Sequence, residues 1–527
     1  MDQTPAHPRE LEPHSTAKIG LRRIARGAVW NWTQLVVTGA IGFFLSPFVV
    51  NHLGATTYGV WALVSSVVAY MVLLDLGIRG AVVRFVSADH SRGLHADASS
   101  IVSAALWFRL WLAVVVLLGG LTLSLAATAL FHLPPALHAP ARIAILLSTA
   151  TVALSLTAGV FSGVLHALLR FDLIAIAGVA LSALTAAGFV VLLRGGHGIV
   201  AMACWQLVVG SLNAVFLYRS TARVYPQLRI LLRPPGRALV RQFGGYSLFL
   251  FISAVASQVI YYSDNVVIGA ALPISAVTLY ALGFAPTQYL RQIISSLAVT
   301  FLPAASDLAA HNDYEQLRRL LIQGTRVMMA VALPIEVALF IRGKTFISLW
   351  MGPQYRDVSG HVLQVLVISW FFIAGDSCAG NIVYGLAKHK AFAIGTIAEA
   401  IANLSLSIFL VRRMGVVGVA WGTTLAGFIL NALIWPRYIA RLLHIPLHQY
   451  LLQSWLRPAV AIIPYAVACV LAERFWSPGH LATFFLQMVC LLPLALGGFM
   501  LVFRREMQRL LRTRPRFLVL RRAPDKP

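Results

Sequence analysis

The stretch GGYSLFLFISAVASQVIYYSDNVVIG (244–269) is one long apolar run with a carboxylate, Asp264, in its interior. About 20 apolar residues in helical form cross the hydrocarbon of a bilayer. The run therefore reads as a membrane-spanning helix that carries a charge. The next run, SAVTLYALGFAPTQYLRQIISSLAVTFLP (275–303), has the same character and encloses Pro286 and Arg291. An ionised group at membrane depth is expensive, so Asp264 and Arg291 are candidate functional residues. The competing structural reading places each near a membrane surface, or pairs the two to fix helix packing.

Composition extends this reading to the whole chain. The 527 residues are 59% hydrophobic and 11% charged, whereas a soluble chain carries roughly 25% charged residues. The chain is thus an all-α polytopic membrane protein. Its net charge is +24, from 42 Lys and Arg against 18 Asp and Glu. In a soluble protein that excess would suggest nucleic acid. Here it falls in loops and tails, and signals topology and contact with anionic membrane lipids. Cys204, Cys378, Cys469 and Cys490 each stand alone in an apolar segment and read as small buried apolar residues. The polar, Pro-rich start lacks the apolar core of a cleavable leader and is expected to be a cytoplasmic tail.

Apolar windows fall at roughly 28–50, 58–78, 101–131, 143–165, 172–193, 197–218, 243–270, 274–303, 321–349, 358–380, 390–411, 415–436, 456–475 and 480–503, which predicts about 14 transmembrane helices. With the N-terminus inside, the cytoplasmic segments hold Arg79, Arg84 and Arg92, the Arg219–Arg241 cluster, Lys388, Lys390, Arg437 and Arg441. The outside turns hold few arginines, such as Arg142, Arg194 and Arg356. This bias puts both termini in the cytoplasm. The basic stretch between helices six and seven reads as a linker on the inner leaflet, with a sliding amphipathic helix as the alternative.

An internal repeat organises the spans. GATTYGVWAL (54–63) matches PISAVTLYAL (273–282). HALLRFDLIAIAG (166–178) matches YGLAKHKAFAIGT (384–396), and GIVAMACWQLVVG (198–210) matches GVVGVAWGTTLAG (415–427). The offsets cluster at 217 to 219 residues. Six helices per copy is an even number, so the copies share one orientation and form a parallel repeat. The expected organisation is a tail (1–27), an N-lobe of helices 1–6 (28–218), a basic linker (219–242), a C-lobe of helices 7–12 (243–440), helices 13–14 (441–503) and a basic tail (504–527). Substrate would sit between the two lobes, and Pro47, Pro286 and Pro334 offer bends for rocking.

Charged residues within spans are then candidates. Arg109 and Arg326 occupy equivalent places in the two copies. Arg presents a planar fork that matches phosphate oxygens in pairs. With Arg291 and Arg26 they would form a cationic cavity for a pyrophosphate headgroup; the alternative for Arg109 and Arg326 is anchoring at the inner surface. Asp264 and Glu399 can hold a proton or Na⁺ and couple transport to an ion gradient, or else pair with an arginine. Asp75, Arg342 and Lys344 lie near span ends and are expected to snorkel. The sequence contains no GxSxG, GxxxxGK[ST] or HExxH pattern, and the histidines are scattered, so neither an enzyme nor a metal or organic cofactor is indicated.

RGAVWNWTQLVVTGAIGFFLSPFVVNHLGATTYGVWALVSSVVAYMVLLDLGIRGAVVRFVS (26–87) resembles the opening of the polysaccharide-biosynthesis flippases of the multidrug/oligosaccharidyl-lipid/polysaccharide exporter superfamily. YSDNVVIGAALPISAVTLYALGFAPTQYLRQIISSLAVTFLPAASDL (262–308) resembles the start of that family's second lobe. The resemblance covers about residues 20–440. It implies two helical lobes and movement of an undecaprenyl-diphosphate-linked oligosaccharide from the cytoplasmic to the periplasmic leaflet of a bacterial inner membrane. Ion-gradient or potential coupling is implied as well, with other polysaccharide assembly proteins as further partners. Of the site residues, Asp264 carries over because its local motif matches; the arginines rest on charge alone. The alternatives are a lipid II flippase, a drug antiporter of the same superfamily, and, from another class, a polysaccharide polymerase or membrane glycosyltransferase. A polymerase would show a large outside loop, and a glycosyltransferase acidic metal ligands in an aqueous loop.

Overall fold

The computed structural model describes residues 13–75, 77–231 and 248–504, with side chains from residue 29 onward apart from 31, 248–251 and 389. The tails 1–12 and 505–527, the linker from 232 to 247 and the Arg26 side chain lie outside the described residues. Every regular element among the described residues is a helix. Backbone polar groups have no water partner in hydrocarbon, and a helix satisfies them within one segment. Side chains follow the same rule: Thr38, Thr149, Thr157 and Thr185 each return their hydroxyl to the carbonyl four residues back.

The chain forms two compact units, Met1–Phe251 and Ile252–Pro527. The first contains α1 (Pro13–Met71), α2 (Ile78–Ser91), α3 (His95–Leu130), α4 (His138–Ala167), α5 (Phe171–Arg194) and α6 (Ile199–Val224). The second contains α7 (Leu248–Ala271), α8 (Ser275–Ala298), α9 (Phe301–Ala310), α10 (Tyr314–Met351), α11 (Val358–Gly385) and α12 (His389–Phe428). After these come α13 (Trp435–Leu442), α14 (Leu447–Leu451), α15 (Arg457–Ala461), α16 (Ile463–Phe475) and α17 (Leu481–Val502).

Among the described residues, 11 helical segments are long and apolar enough to cross a membrane. Two of them, Trp32–Ser91 with 60 residues and Lys390–Leu442 with 53, are each long enough for two crossings. They break at Gly54 (φ 72°) and Gly415 (φ 60°), where the left-handed backbone needs a residue without Cβ. With α7 added, the helices are compatible with fourteen crossings. Pro47, Pro286 and Pro334 lie inside helices, Pro47 seven residues before the break at Gly54.

The first unit packs α2, α3 and α4 around Val82, Val86, Val102, Val160 and Val164. Gly120 sits against Thr149, and Trp205 lies over Gly188 with its ring N–H donating to the Leu184 carbonyl at 3.1 Å. In the second unit, α10 and α11 hold the largest core, with Met328, Met329, Trp370 and Cys378 buried. The outward surface is apolar as well: Leu117, Leu121 and Leu125 of α3 and Leu486, Val489 and Leu496 of α17 are exposed, as a lipid solvent allows. Cys378 and Cys469 are buried as expected, whereas Cys204 and Cys490 lie on exposed helix faces.

Two of the charges expected near span ends, Asp75 and Arg342, are paired. Asp75 pairs with Arg109, which is 0% exposed. Arg342 is also 0% exposed and donates to Glu473 of α16 at 3.0 Å and to Gln487 of α17 at 2.8 Å. Glu473 also accepts from Thr345, and Gln487 donates to the Trp476 carbonyl at 3.1 Å. This buried cluster ties the two C-terminal helices to α10. It replaces the snorkelling expected of Arg342, because a paired guanidinium need not reach water.

Candidate functional site

Asp264 lies on α7, is 1% exposed, and is ringed by hydroxyl groups. Tyr280 of α8 donates to Oδ2. Thr423 donates to the same oxygen at 2.7 Å, and Ser407 to Oδ1 at 3.3 Å. Asn403 Nδ2 donates to Thr423 Oγ1 at 2.9 Å, so the threonine hydroxyl is free to donate onward. Ser263 closes the ring with a 3.4 Å bond to Asn403 Oδ1. No Lys or Arg pairs with Asp264 among the described residues, so the arginine partner considered from the sequence is not its partner here.

The backbone geometry of α12 builds this ring. The chain reverses at Gly415, and the two legs of α12 then pack face to face. A Cβ on Gly418 would strike the Leu410 carbonyl, and one on Gly422 would lie 2.6 Å from the Ser407 backbone nitrogen. The GxxxG spacing thus lets two backbones approach closely. That approach puts Asn403 and Ser407 of one leg beside Thr423 of the other. Gly283 does the same for α8, with the Ser359 carbonyl of α11 at 2.6 Å from its would-be Cβ.

The cluster offers several hard oxygen ligands in a small volume. Ser407 and Thr423 also lie 3.4 Å and 3.3 Å from the Val419 carbonyl. Each hydroxyl therefore has two acceptors and one proton. A proton on Asp264, or a small cation beside it, would leave these hydroxyls free to turn to Val419. Carboxylate, hydroxyl and carbonyl oxygens suit hard cations.

Thr423 also lines a cavity of about 320 Å³ within the second unit. Glu399 and Asp376 both face this cavity. Glu399 accepts from Asn431 at 3.4 Å. Asp376 is 7% exposed, and neither carboxylate oxygen has a hydrogen-bond partner. Hydropathy and spacing along the chain assign no role to Asp376, Tyr280, Asn403, Ser407 or Thr423. The one available signal for the last three was the glycine spacing of GVVGVAWG, which marks a close helix pair.

The candidate arginines have different local partners, Arg109 in the first unit and Arg291 and Arg326 in the second. Arg109 is held by Asp75 in the first unit, with its Nε and Nη1 unpartnered. Arg291 is half-buried with its guanidinium carbon 4.5 Å from the Tyr261 ring centroid, and Tyr261 in turn lines the cavity. Arg326 donates to the Gln453 carbonyl at 2.9 Å and stacks on Phe503 at 5.0 Å. Gln453 belongs to a π-helical turn, Leu452–Leu456, where irregular backbone leaves a carbonyl available. Neither Arg291 nor Arg326 lines the cavity.

Comparison with known proteins gives this geometry its context. The chain is 21% identical over 407 residues to a Shigella flexneri protein named as an O-antigen transporter, covering 75% of this chain and 93% of the relative. It is 22% identical over 413 residues to AglR of Haloferax volcanii, named as a flippase, with 77% and 81% coverage. Among solved structures, the lipid II flippase MurJ superposes with a TM-score of 0.71 at 13% identity, covering 92% of this chain and 100% of that one. An inward-facing multidrug resistance MATE family transporter of the MOP superfamily gives 0.67 at 15% identity, with 78% and 95% coverage. Residues 24–309, more than half of the chain, match the family described as polysaccharide biosynthesis protein, and this multi-pass membrane protein belongs to that family.

Proposed function

We propose that this chain is a flippase that carries an undecaprenyl-diphosphate-linked oligosaccharide from the cytoplasmic to the periplasmic leaflet of a bacterial inner membrane, for O-antigen or exopolysaccharide assembly. Membership of the polysaccharide biosynthesis family supports this reading, as do the relatives named as transporters and flippases. These relatives are carriers rather than enzymes, and so is this chain. Two lobes of six helices, with both termini in the cytoplasm, alternate access to the substrate. Other polysaccharide assembly proteins take over the product.

The observation that carries the mechanism is Asp264, buried without a cationic partner among the described residues and bonded to three hydroxyl groups. Such a group changes charge state when it takes H⁺ or Na⁺, and so links an ion gradient to the packing of α7, α8 and α12. Arg109, Arg291 and Arg326, with Arg26, remain the proposed contacts for the diphosphate. In that scheme Asp75 is the counter-ion Arg109 gives up when phosphate arrives.

The test is leaflet-resolved labelling of the lipid-linked oligosaccharide in cells depleted of this protein. Cytoplasmic accumulation, reversed by re-expression, is the expected result. Normal translocation with loss of polymer would move the protein to a later step. A second reading, a carrier of small organic cations, is favoured by the two carboxylates of the second-unit cavity and by the lack of Lys or Arg among the described residues of its lining. Unaltered lipid and polymer in depleted cells, with organic cations retained, would select it.

A further inference from the structure

The second-unit cavity contains chemistry that diphosphate recognition does not use. Asp376 is more than nine-tenths buried, faces the cavity, and has two carboxylate oxygens without a donor. Glu399 faces the same space and receives one long bond from Asn431. Buried carboxylate oxygens without donors are costly, and the shortage is relieved by a ligand that brings N–H groups and positive charge. Among the described residues, no Lys or Arg side chain lines the cavity to do so.

The walls add a second constraint. Trp370, Tyr384, Phe392 and Trp435 present aromatic surface, and Asn381 and Asn431 present amides. Phe392 and Trp435 lie 5.4 Å apart, and Tyr384 and Phe392 4.9 Å apart, so the aromatic wall is continuous. A volume of about 320 Å³ far exceeds a bare cation. Aromatic faces suit the C–H face of a sugar ring and also stabilise a nearby ammonium. Amides and hydroxyls suit its oxygens.

We propose that this cavity is a sugar subsite that selects a glycan residue bearing a free ammonium group, with Asp376 and Glu399 as its acceptors. This rests on reading the protein as a glycan carrier, and names the class of sugar it prefers.

The test is equilibrium binding of three probes to the full-length purified protein in nanodiscs: methyl glucosaminide, methyl N-acetylglucosaminide and methyl glucoside. A hydrogen-bonded charge pair is worth about 1.5–3 kcal/mol, which corresponds to roughly tenfold or more in affinity. Methyl glucosaminide should therefore bind at least about tenfold more tightly than either neutral sugar. Asp376→Asn and Glu399→Gln should each reduce that preference, and the double variant should abolish it. Glu336→Gln removes a buried carboxylate outside the cavity lining, and should bind as the wild type does. Thermal unfolding of each variant separates lost binding from lost fold. Equal affinity for the three probes overturns the proposal, as does an unchanged preference in folded Asp376→Asn protein. A preference confined to inorganic Na⁺, lost in Asp376→Asn, also overturns it. Export of lipid-linked oligosaccharide in depleted cells is read separately. If export is restored while the probes bind equally, the sugar preference fails alone; if the wild type restores nothing, the carrier reading fails.

Discussion

Leu169 and Ala387, 218 positions apart, hold the same left-handed backbone, with φ of 57° and 56°. The hydrogen bonds around them correspond one for one. Leu168 to Val164, Leu169 to His166 and Arg170 to Leu165 repeat as Leu386 to Ile382, Ala387 to Tyr384 and Lys388 to Val383. Gly93 and Asn312 repeat in the same way at an offset of 219, again with positive φ. The internal repeat of the sequence thus reappears as matching turns, each within its own unit.

The left-handed turn makes one prediction. An L-residue there carries a penalty of about 1–2 kcal/mol, while glycine loses about 0.5–1 kcal/mol of chain entropy on folding. Leu169 and Ala387 are both exposed, so packing contributes little to the balance. Ala387→Gly should stabilise the protein by up to about 1 kcal/mol, and Ala387→Val should destabilise it. Thermal unfolding in detergent reads both; an unfolding temperature lowered by the glycine would contradict the argument.

Gly422 should be intolerant of any side chain. Its would-be Cβ meets backbone atoms of Ser407, which cannot rotate away. Gly422→Ala is expected to cost about 1–3 kcal/mol through overpacking. Gly159 sits in α4 with nothing within 4 Å of its would-be Cβ. Gly159→Ala should instead stabilise the helix by about 0.5–1 kcal/mol. The same unfolding assay compares the two, and equal effects would remove the close-packing account of the α12 hairpin.

Asp264→Asn should abolish the dependence of transport on the coupling ion. Asparagine keeps the size of the side chain but cannot change charge. Thr423→Val removes one donor from Oδ2 while preserving shape, and should cost about 1–3 kcal/mol. Transport in proteoliposomes with imposed H⁺ or Na⁺ gradients measures this directly. An unchanged gradient response in Asp264→Asn protein would reassign the aspartate to packing.

The arginines separate by role. Arg342→Ala removes the guanidinium from Glu473, which keeps only the Thr345 hydroxyl, and from Gln487; it should destabilise the protein by about 2–3 kcal/mol, with a positive coupling to Glu473→Gln in a double-mutant cycle. Arg109→Ala and Arg291→Ala should lower surface polysaccharide with the protein still inserted. Arg→Lys at either position should rescue partly, since Lys lacks the bidentate fork. Normal polysaccharide in the Arg109→Ala, Arg291→Ala double variant would end their role in diphosphate binding.

The membrane class, the helical content and the repeat were legible because they depend on local composition and on spacing along the chain. Asp264 was legible because a carboxylate inside an apolar run is conspicuous. The same logic failed for Arg342, which pairs with Glu473 and Gln487 instead of snorkelling. A charge in a span can face a cavity, a counter-ion or a carbonyl, and hydropathy is the same in each case. Arg326 found a carbonyl freed by a π-helical turn, and no periodicity in the sequence foretells that turn.

The sequence by itself determined that the chain spans a membrane many times, since apolar runs of that length have no other stable solvent. It also determined that two copies of one helical plan follow each other. Tertiary structure alone decided which polar groups meet. Tyr280, Ser407 and Thr423 surround Asp264 because Gly418 and Gly422 let two backbones close to contact. Asp376 and Glu399 share a cavity because α11 and α12 pack side by side. The partners of Asp264 are 16 to 159 residues away in the chain, and the packing of small residues across helices brings them within hydrogen-bonding range.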